Sequence, residues 1–150
     1  MRRILIVGAG RSASALVRYL LEKSVQEELE IAIADINVKN AEKLVGGHPN
    51  GMVIELDIFD LERRKEAIRK ADIVISMLPA RFHFEVAKDC LEFGKNLITA
   101  SYVSKELKEL DQAVKDKGLV FMNEIGLDPG IDHMSAMQVI DRIKGSGARM

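Results

Sequence analysis

A glycine-rich turn is the segment of this chain whose residue types and spacing most clearly imply chemistry. Residues 4–7 (ILIV) are apolar, and residues 8–13 (GAGRSA) follow them directly, before a helical pattern begins. Gly8 would let the chain turn tightly out of a strand, Gly10 would let a diphosphate approach the backbone, and Ala13 would let a helix lie close to a sheet. N–H groups at the start of such a helix bind phosphate oxygens. The segment therefore predicts the diphosphate-binding turn of a dinucleotide site.

An acidic residue closes the next apolar run and bears on which dinucleotide binds. Asp35 follows residues 30–34 (EIAIA), and a carboxylate there would accept hydrogen bonds from the adenosine ribose but would repel a 2′-phosphate. Ile36 comes next, rather than a basic residue, so the sequence favours NAD over NADP. Arg11, beside Ser12 on the turn, could instead reach a 2′-phosphate, although contact with the diphosphate or with solvent is the simpler interpretation. Asp35 could also be the N-cap of the helix that follows.

Polar and turn-forming residues also follow the other apolar runs. They are Asp57, residues 76–79 (SMLP), residues 99–102 (TASY) and residues 123–130 (NEIGLDPG). Parallel strands bring their carboxyl ends to one edge of a sheet, and open α/β sheets bind ligands at that edge. This shared edge predicts a single ligand site more strongly than any one motif does.

Two of these acidic residues have both a structural and a functional interpretation. Asp57 could bond near an adenine, or it could cap the turn before Asp60. Asp128 precedes Pro129, and such a pair can begin a helix with the aspartate as N-cap and the proline in the first position. The Asp128 carboxylate could also meet a substrate ammonium group at the carboxyl edge. The two roles of Asp128 are compatible, and we favour the substrate role.

The histidines and the cysteine indicate less clearly what chemistry the chain performs. His83 and His133 lie near the same edge, and an imidazole can donate a proton at neutral pH. Each is more often a packed or capping residue, so the catalytic residues stay unassigned. Cys90 lies in an apolar helical pattern, which predicts a buried, unreactive thiol. The sequence shows no Ser-His-Asp arrangement and no spacing typical of metal ligands, so we expect no metal.

Apolar runs and helical patterns alternate along the chain, and they predict the elements that position these residues. The apolar runs predict strands near residues 3–7, 30–34, 52–56, 72–77, 96–99 and 119–122. The helical patterns predict helices near residues 11–23, 38–45, 60–69, 82–93, 104–117 and 129–143. This alternation, with strands apolar at every position, is typical of α/β proteins whose parallel sheet is covered by helices on both faces. We therefore predict a doubly wound, six-stranded Rossmann domain over residues 1–143, with strand order 3-2-1-4-5-6.

Composition and charge limit the classes of partner that we expect for this chain. The chain has 150 residues, 47% hydrophobic and 30% charged, which is enough for one domain with a core. Its net charge is −1 and its basic residues are interspersed with acidic ones, so we do not expect nucleic acid as a partner. No apolar run reaches the length of a membrane span, and the amino terminus does not fit a signal peptide. We expect a cytoplasmic protein with a small-molecule partner, and a homo-oligomer is compatible with the sequence.

The chain resembles the saccharopine dehydrogenase family, and most closely its glutamate-forming branch, also called saccharopine reductase. The resemblance is carried by residues 123–133 (NEIGLDPGIDH), with support from residues 74–79 (VISMLP) and 99–104 (TASYVS). It covers essentially the whole chain in order and implies an NAD(P)-dependent oxidoreductase of lysine metabolism. Such enzymes interconvert saccharopine with glutamate and 2-aminoadipate 6-semialdehyde, by hydride transfer at an imine carbon.

The same resemblance implies roles for individual residues along the predicted edge. Residues 10–13 would bind the diphosphate, Asp35 would lie by the adenosine ribose, and residues 57–58 would contact the adenine. The predicted cofactor contacts are Gly8, Gly10, Arg11, Ser12, Ala13, Asp35, Ile36, Asp57, Ile58, Leu78, Pro79, Ala100, Ser101, Leu127, Asp128 and Pro129. The predicted contacts of the amino-acid substrate are Ser101, Tyr102 and Asp128.

Two departures from the family pattern shape these expectations. NADP-using members carry an arginine just after the second strand, where this chain has Ile36, and this again favours NAD. Family members are several hundred residues long, and their second domain supplies groups that hold the substrate carboxylates. Residues 144–150 lie near where that domain would begin, so they would either start it or form a disordered tail. We therefore expect this chain to bind dinucleotide but to have little or no turnover alone.

Two other functions stay open from the sequence. One is a related dehydrogenase acting on a different amine, such as a carboxynorspermidine-type enzyme. The other is a dinucleotide-sensing domain without chemistry, because sensors also carry the glycine turn and the acidic residue. Ser101, Tyr102 and Asp128 favour an enzyme, since a sensor has no need of them.

Overall fold

The computed structural model describes residues 1–147 and contains one parallel sheet of six strands in the order β3-β2-β1-β4-β5-β6, as predicted. The strands are β1 Arg2–Val7, β2 Leu29–Asp35, β3 Gly51–Glu55, β4 Ile73–Ser76, β5 Asn96–Thr99 and β6 Phe121–Met122. The helices are α1 Ser14–Ser24, α2 Val38–Val45, α3 Leu61–Arg69, α4 His83–Phe93, α5 Lys105–Glu109, α6 Asp111–Asp116 and α7 Ile131–Gly145.

The central strands are buried on both faces, which explains why they are apolar at every position. In β1, Leu5 and Val7 join one core layer, together with side chains of α3 and α4. The alternate residues Ile4 and Ile6 join the other layer, together with side chains of α1 and α2. Because successive residues of a strand point to opposite faces, each layer needs its own apolar set.

The strand register brings the polar strand ends to one edge. Val7 pairs with Ala34 of β2 on one side and with Ser76 of β4 on the other. Ser76 in turn pairs with Thr99 of β5. The residues that follow these four positions therefore leave the sheet side by side, so the predicted shared edge is present.

The helical segments differ from the prediction in three places. The segment predicted as one helix over 104–117 is two helices, because the Leu110 amide bonds to the carbonyl of Leu107, three residues back. A 3-10 turn over Arg11–Ala13 precedes α1, so the α-helix begins later than predicted. The final helix, predicted over 129–143, is α7 at Ile131–Gly145, two residues beyond the predicted end of the domain.

Helix α7 lies apart from the core, and no residue in it is buried.

Within residues 1–147, no helix combines the length and the apolar character needed to cross a bilayer. The prediction for residues 144–150 falls partly outside the described part of the chain, which ends at Gly147.

Candidate functional site

Gly8 is required by the fold itself. Its φ is +106°, a conformation that residues with a side chain rarely adopt. A Cβ built on Gly8 would lie 3.0 Å from the carbonyl oxygen of Met77, at the end of the neighbouring strand β4. The Gly8 amide also donates to the carbonyl of Ala34 at 2.8 Å. The turn out of β1 is therefore packed tightly between β2 and β4.

Gly10 has no comparable internal reason to be a glycine. Its φ and ψ are −71° and 177°, ordinary extended backbone. A Cβ built there would meet nothing within 4 Å. The missing side chain therefore leaves open space in front of the turn, as a diphosphate-binding glycine must. Ala13 is fully buried, whereas Arg11 and Ser12 are exposed.

Asp35 is bonded to the glycine turn. Its Oδ2 accepts the Ala9 amide at 2.5 Å, and its Oδ1 accepts the Asn37 amide at 2.7 Å. Asn37, whose Oδ1 accepts the Asn40 amide, is the N-cap of α2. The capping interpretation of Asp35 is therefore wrong, and this carboxylate is instead fixed beside the first glycines of the turn.

A cavity of about 230 Å³ begins at Asp35 and extends over the ends of β2, β3 and β4. Its lining includes five of the predicted cofactor contacts: Asp35, Ile36, Asp57, Ile58 and Leu78. Two phenylalanines that were not among the predicted cofactor contacts also line it. Phe59 is 74% exposed, and its ring meets that of Phe82 edge to face, with centroids 5.4 Å apart. Only the folded chain shows this pair, because the rings come from loops after different strands.

The loop after β3 is held in place from behind. Asp57 Oδ1 accepts the Phe59 amide at 2.9 Å, so the turn-capping interpretation of Asp57 is confirmed. The buried Arg64 donates from Nη1 to the Ile58 carbonyl and from Nε to Asp89 Oδ2, both at 2.6 Å. This ion pair was not predicted, because a charged residue on a helix is usually solvated. Through its bond to the Ile58 carbonyl, Arg64 fixes the backbone of the loop that forms one wall of the cavity.

The predicted substrate residues meet at the other end of the edge. The Tyr102 hydroxyl donates to Asp128 Oδ1 at 2.6 Å, and this hydrogen bond raises the pKa of Tyr102. The two loops are also joined by backbone, since the Glu124 amide donates to the Ser101 carbonyl and Glu124 Oε1 accepts the Val103 amide. The loop after β5 and the loop after β6 therefore form one unit.

Asp128 and Pro129 do not begin the last helix, so that interpretation is wrong. The Gly126 amide donates to the Pro129 carbonyl, and the Gly126 carbonyl accepts from Ile131. These bonds close residues 126–130 into a loop, and α7 begins after it with Gly130 as N-cap. A Cβ on Gly126 would be 2.9 Å from the Cβ of Ala100, so the loop also packs closely on the end of β5. Leu127 and Asp128 are exposed at its tip.

His83, a candidate proton donor, lies beneath the edge. It begins α4, is only 2% exposed, and contacts hydroxyls from the ends of β4 and β5. Its Nε2 lies 2.8 Å from Ser101 Oγ, a predicted substrate contact. Burial lowers the pKa of His83, so its neutral form is favoured. His133 is exposed on α7 and bonds to Asp132.

The only cysteine lies in the core, and the described residues offer no cluster of metal ligands. Cys90 is fully buried in α4, and burial raises its pKa to about 12, as expected for an unreactive thiol. Residues 1–147 contain no group of three His, Cys, Asp or Glu side chains that could hold a metal ion.

The parallel sheet, the glycine turn bonded to Asp35 and the adjoining cavity define a Rossmann-type dinucleotide-binding domain. A sequence profile described as the saccharopine dehydrogenase NADP binding domain matches residues 4–122. The chain belongs to this family. The match supports a nicotinamide dinucleotide as the cofactor.

Two relatives are similar to this chain in sequence, and a solved structure is similar in both sequence and fold. A saccharopine dehydrogenase [NADP(+), L-glutamate-forming] of Schizosaccharomyces pombe is 35% identical over 150 residues, which are 100% of this chain and 33% of the relative. A mitochondrial alpha-aminoadipic semialdehyde synthase of Bos taurus is 36% identical over 148 residues, covering 98% of this chain and 16% of the relative. The solved apo structure of a saccharopine dehydrogenase (L-Glu forming) from Saccharomyces cerevisiae superposes with a TM-score of 0.84 at 32% identity, over 98% of this chain and 32% of that one. The chain thus spans about a third or less of the length of these relatives.

Proposed function

We propose that this chain is the dinucleotide-binding part of a saccharopine dehydrogenase-like oxidoreductase. The observation that carries the proposal is the bond between Asp35 and the Ala9 amide. It joins the predicted ribose-binding carboxylate to the predicted diphosphate-binding turn. A dinucleotide lying along the carboxyl edge would contact both at once, with its adenine in the cavity lined by Ile36 and Ile58.

We propose NAD as the preferred cofactor. Asp35 presents a carboxylate where the adenosine ribose would lie, and the exposed Ile36 beside it cannot neutralise a 2′-phosphate. The description of the Schizosaccharomyces pombe relative names NADP(+), and that of the matching profile names NADP, so cofactor choice needs a direct comparison. Calorimetric titration of the chain with NADH and NADPH makes that comparison. NADH should bind at least about tenfold more tightly, which corresponds to about 1.4 kcal/mol. Equal affinities, or tighter binding of NADPH, would contradict the NAD preference.

The reaction we propose is hydride transfer between the CH–NH group of saccharopine and the nicotinamide. The bound dinucleotide supplies the hydride chemistry, and the protein supplies orientation and exclusion of water. Asp128 is suited to bind an ammonium group of the substrate, since its carboxylate is exposed and negatively charged. The Tyr102 hydroxyl donates to one oxygen of that carboxylate and leaves the other oxygen available. Saccharopine itself is assigned from the family to which the chain belongs.

The substrate role of Asp128 has a sharp test in the complete polypeptide from the native reading frame. Asp128→Asn keeps the shape of the side chain and removes the charge, so KM for saccharopine should rise about tenfold while NADH affinity stays unchanged. Asp111→Asn, an exposed change on α6, is the matched control and should alter neither quantity. A fall in NADH affinity without a rise in KM for saccharopine would assign Asp128 to the cofactor contact that the resemblance also implies, or to the structure of the loop, instead of to the substrate. Turnover of saccharopine by the unaltered polypeptide would also exclude a sensing domain without chemistry.

A further inference from the structure

His83 makes more hydrogen-bonding contacts than a merely packed histidine needs. Its Nδ1 lies 2.8 Å from Ser76 Oγ, and its Nε2 lies 2.8 Å from Ser101 Oγ and 3.0 Å from Thr99 Oγ1. Both nitrogens of one buried imidazole are therefore engaged by hydroxyl groups. Ser76 and Thr99 end the paired strands β4 and β5, whereas Ser101 lies beyond the sheet on the predicted substrate side.

The protonation of the ring decides what Ser101 can do. A neutral imidazole has one N–H donor and one nitrogen that accepts. If Nδ1 carries the hydrogen, Nε2 must accept, and either the Ser101 or the Thr99 hydroxyl then points its hydrogen inward. If Nε2 carries the hydrogen, it donates to Ser101 Oγ, and the Ser101 hydroxyl hydrogen stays available to a ligand.

The surroundings favour hydrogen on Nε2. Ser76 is 1% exposed, and its hydroxyl gains an acceptor if Nδ1 is unprotonated. Nε2 faces two hydroxyl oxygens, which can share one N–H in a three-centre hydrogen bond. Thr99 Oγ1 already accepts the Ser101 amide at 3.3 Å, so its lone pairs are directed toward that amide and toward His83 Nε2.

We propose that His83 is a positioning residue that fixes Ser101 as a hydrogen-bond donor to a carboxylate of the amino-acid substrate. The inference rests on the proposed function, because it takes the substrate to be a carboxylate-bearing amine at this edge. His83 acts through Ser101 and does not touch the substrate. A hydroxyl held by a buried neutral donor can offer its own hydrogen to a carboxylate oxygen in a charge-assisted bond. Ser101 is half-buried, so a ligand can reach it.

Nitrogen NMR of the 15N-histidine-labelled chain tests the protonation and hydrogen bonding of His83 without an activity measurement. The expected result is a neutral His83 with hydrogen on Nε2, and a shift of that nitrogen signal in Ser101→Ala. Hydrogen on Nδ1, or a signal that Ser101→Ala leaves unmoved, would overturn the proposal. His48, in the loop after α2, provides the reference signal, because it lies away from the edge and bonds to Asn50.

A double-mutant cycle in the complete polypeptide tests the functional link. Ser101→Ala should raise KM for saccharopine about tenfold to a hundredfold, as loss of a hydrogen bond to a charged group does. His83→Leu should raise KM in the wild-type background but add less than about twofold once Ser101 is alanine. NADH affinity should fall less than saccharopine affinity in all three variants, although Ser101 is also a predicted cofactor contact. Additive effects, or equal losses of NADH and saccharopine binding, would assign His83 to the core alone.

Two further variants keep the cycle decisive. His83→Gln retains an N–H donor of similar reach, so it should reverse most of the rise in KM seen in His83→Leu, even if the leucine variant is less stable. His48→Gln removes a histidine outside the edge and should leave KM unchanged. If the wild-type polypeptide neither binds nor oxidises saccharopine, the proposed function fails. If it does both and the cycle is additive, only the role of His83 fails.

Discussion

Replacing each glycine of the turn by alanine should separate the folding role of this segment from its binding role. Gly8→Ala places a Cβ against the Met77 carbonyl oxygen, at a φ of +106°. Gly10→Ala places the same methyl group in open space, on backbone of ordinary geometry. The two substitutions are chemically identical and two residues apart, so each serves as the control for the other.

The structure gives the expected size of each effect. An alanine held at the φ of Gly8 costs about 1–3 kcal/mol of backbone strain, and its 3.0 Å contact adds to this cost. For a chain of this length, that strain lowers the melting temperature by about 2–12 °C. Gly10→Ala should change the free energy of unfolding by less than about 1 kcal/mol, since alanine also restricts the unfolded chain. It should weaken NADH binding at least about tenfold, because the methyl group occupies the space in front of the turn.

Two measurements on purified variants separate the folding role of the turn from its binding role. Urea unfolding gives the stability of the wild type, Gly8→Ala and Gly10→Ala, and calorimetry gives their NADH affinities. Gly10→Ala should be as stable as the wild type but bind poorly. If Gly10→Ala bound NADH as tightly as the wild type does, no diphosphate would approach Gly10. The assignment of the turn would then be wrong.

Three buried side chains give the remaining predictions. Cys90, whose pKa burial raises to about 12, should react with a disulfide reagent at pH 8 far more slowly in the folded chain than in urea, and equal rates would show that α4 is open. Arg64→Met leaves Asp89 buried without its partner and should lower the free energy of unfolding by about 3–5 kcal/mol in urea titrations, whereas a loss under about 1 kcal/mol would indicate a solvated pair. Burial lowers the pKa of His83 below its usual 6.5, so the unfolded chain binds the proton more readily. The free energy of unfolding should therefore fall as the pH drops below about 6.5, and less so in His83→Gln, whereas a rise on acidification would contradict this.

Much of the fold could be predicted because central parallel strands carry an unmistakable pattern. Residues such as Ile4 to Val7 are apolar at every position, since both faces of β1 are covered. Strand order followed from alternation and handedness. The helix boundaries were harder to place. Leu110 fits the apolar period of a single helix, and nothing in its residue type marks the break between α5 and α6.

The candidate site could be predicted only as far as each residue's place along a strand. Asp35, Asp57 and Asp128 were located at the correct edge, but their bonding partners depend on loops that meet in the folded chain. Asp35 bonds to a turn 26 residues earlier, and Tyr102 bonds to Asp128, 26 residues later. Contacts between residues this far apart in the chain produce no periodic pattern in the sequence.

The contacts that were not predicted are those of residues that support other residues of the site. Arg64 fixes the loop after β3, and His83, named only as a candidate proton donor, contacts Ser101; each lies on a helix whose pattern looks ordinary. The Phe59–Phe82 pair was missed for a similar reason, since its rings come from loops after different strands. A sequence can indicate which residues meet a ligand more readily than it can indicate which residues position them.

A crystal structure of the chain with NADH bound would show whether the dinucleotide lies along this edge of the sheet. We expect the diphosphate in front of Gly10, with the adenosine ribose hydroxyls within about 3 Å of the Asp35 carboxylate. We also expect the adenine in the cavity beside Ile58, and the nicotinamide toward Ser101 and Asp128. A dinucleotide bound elsewhere, or an Asp35 carboxylate turned away from the ribose, would contradict the proposed binding mode.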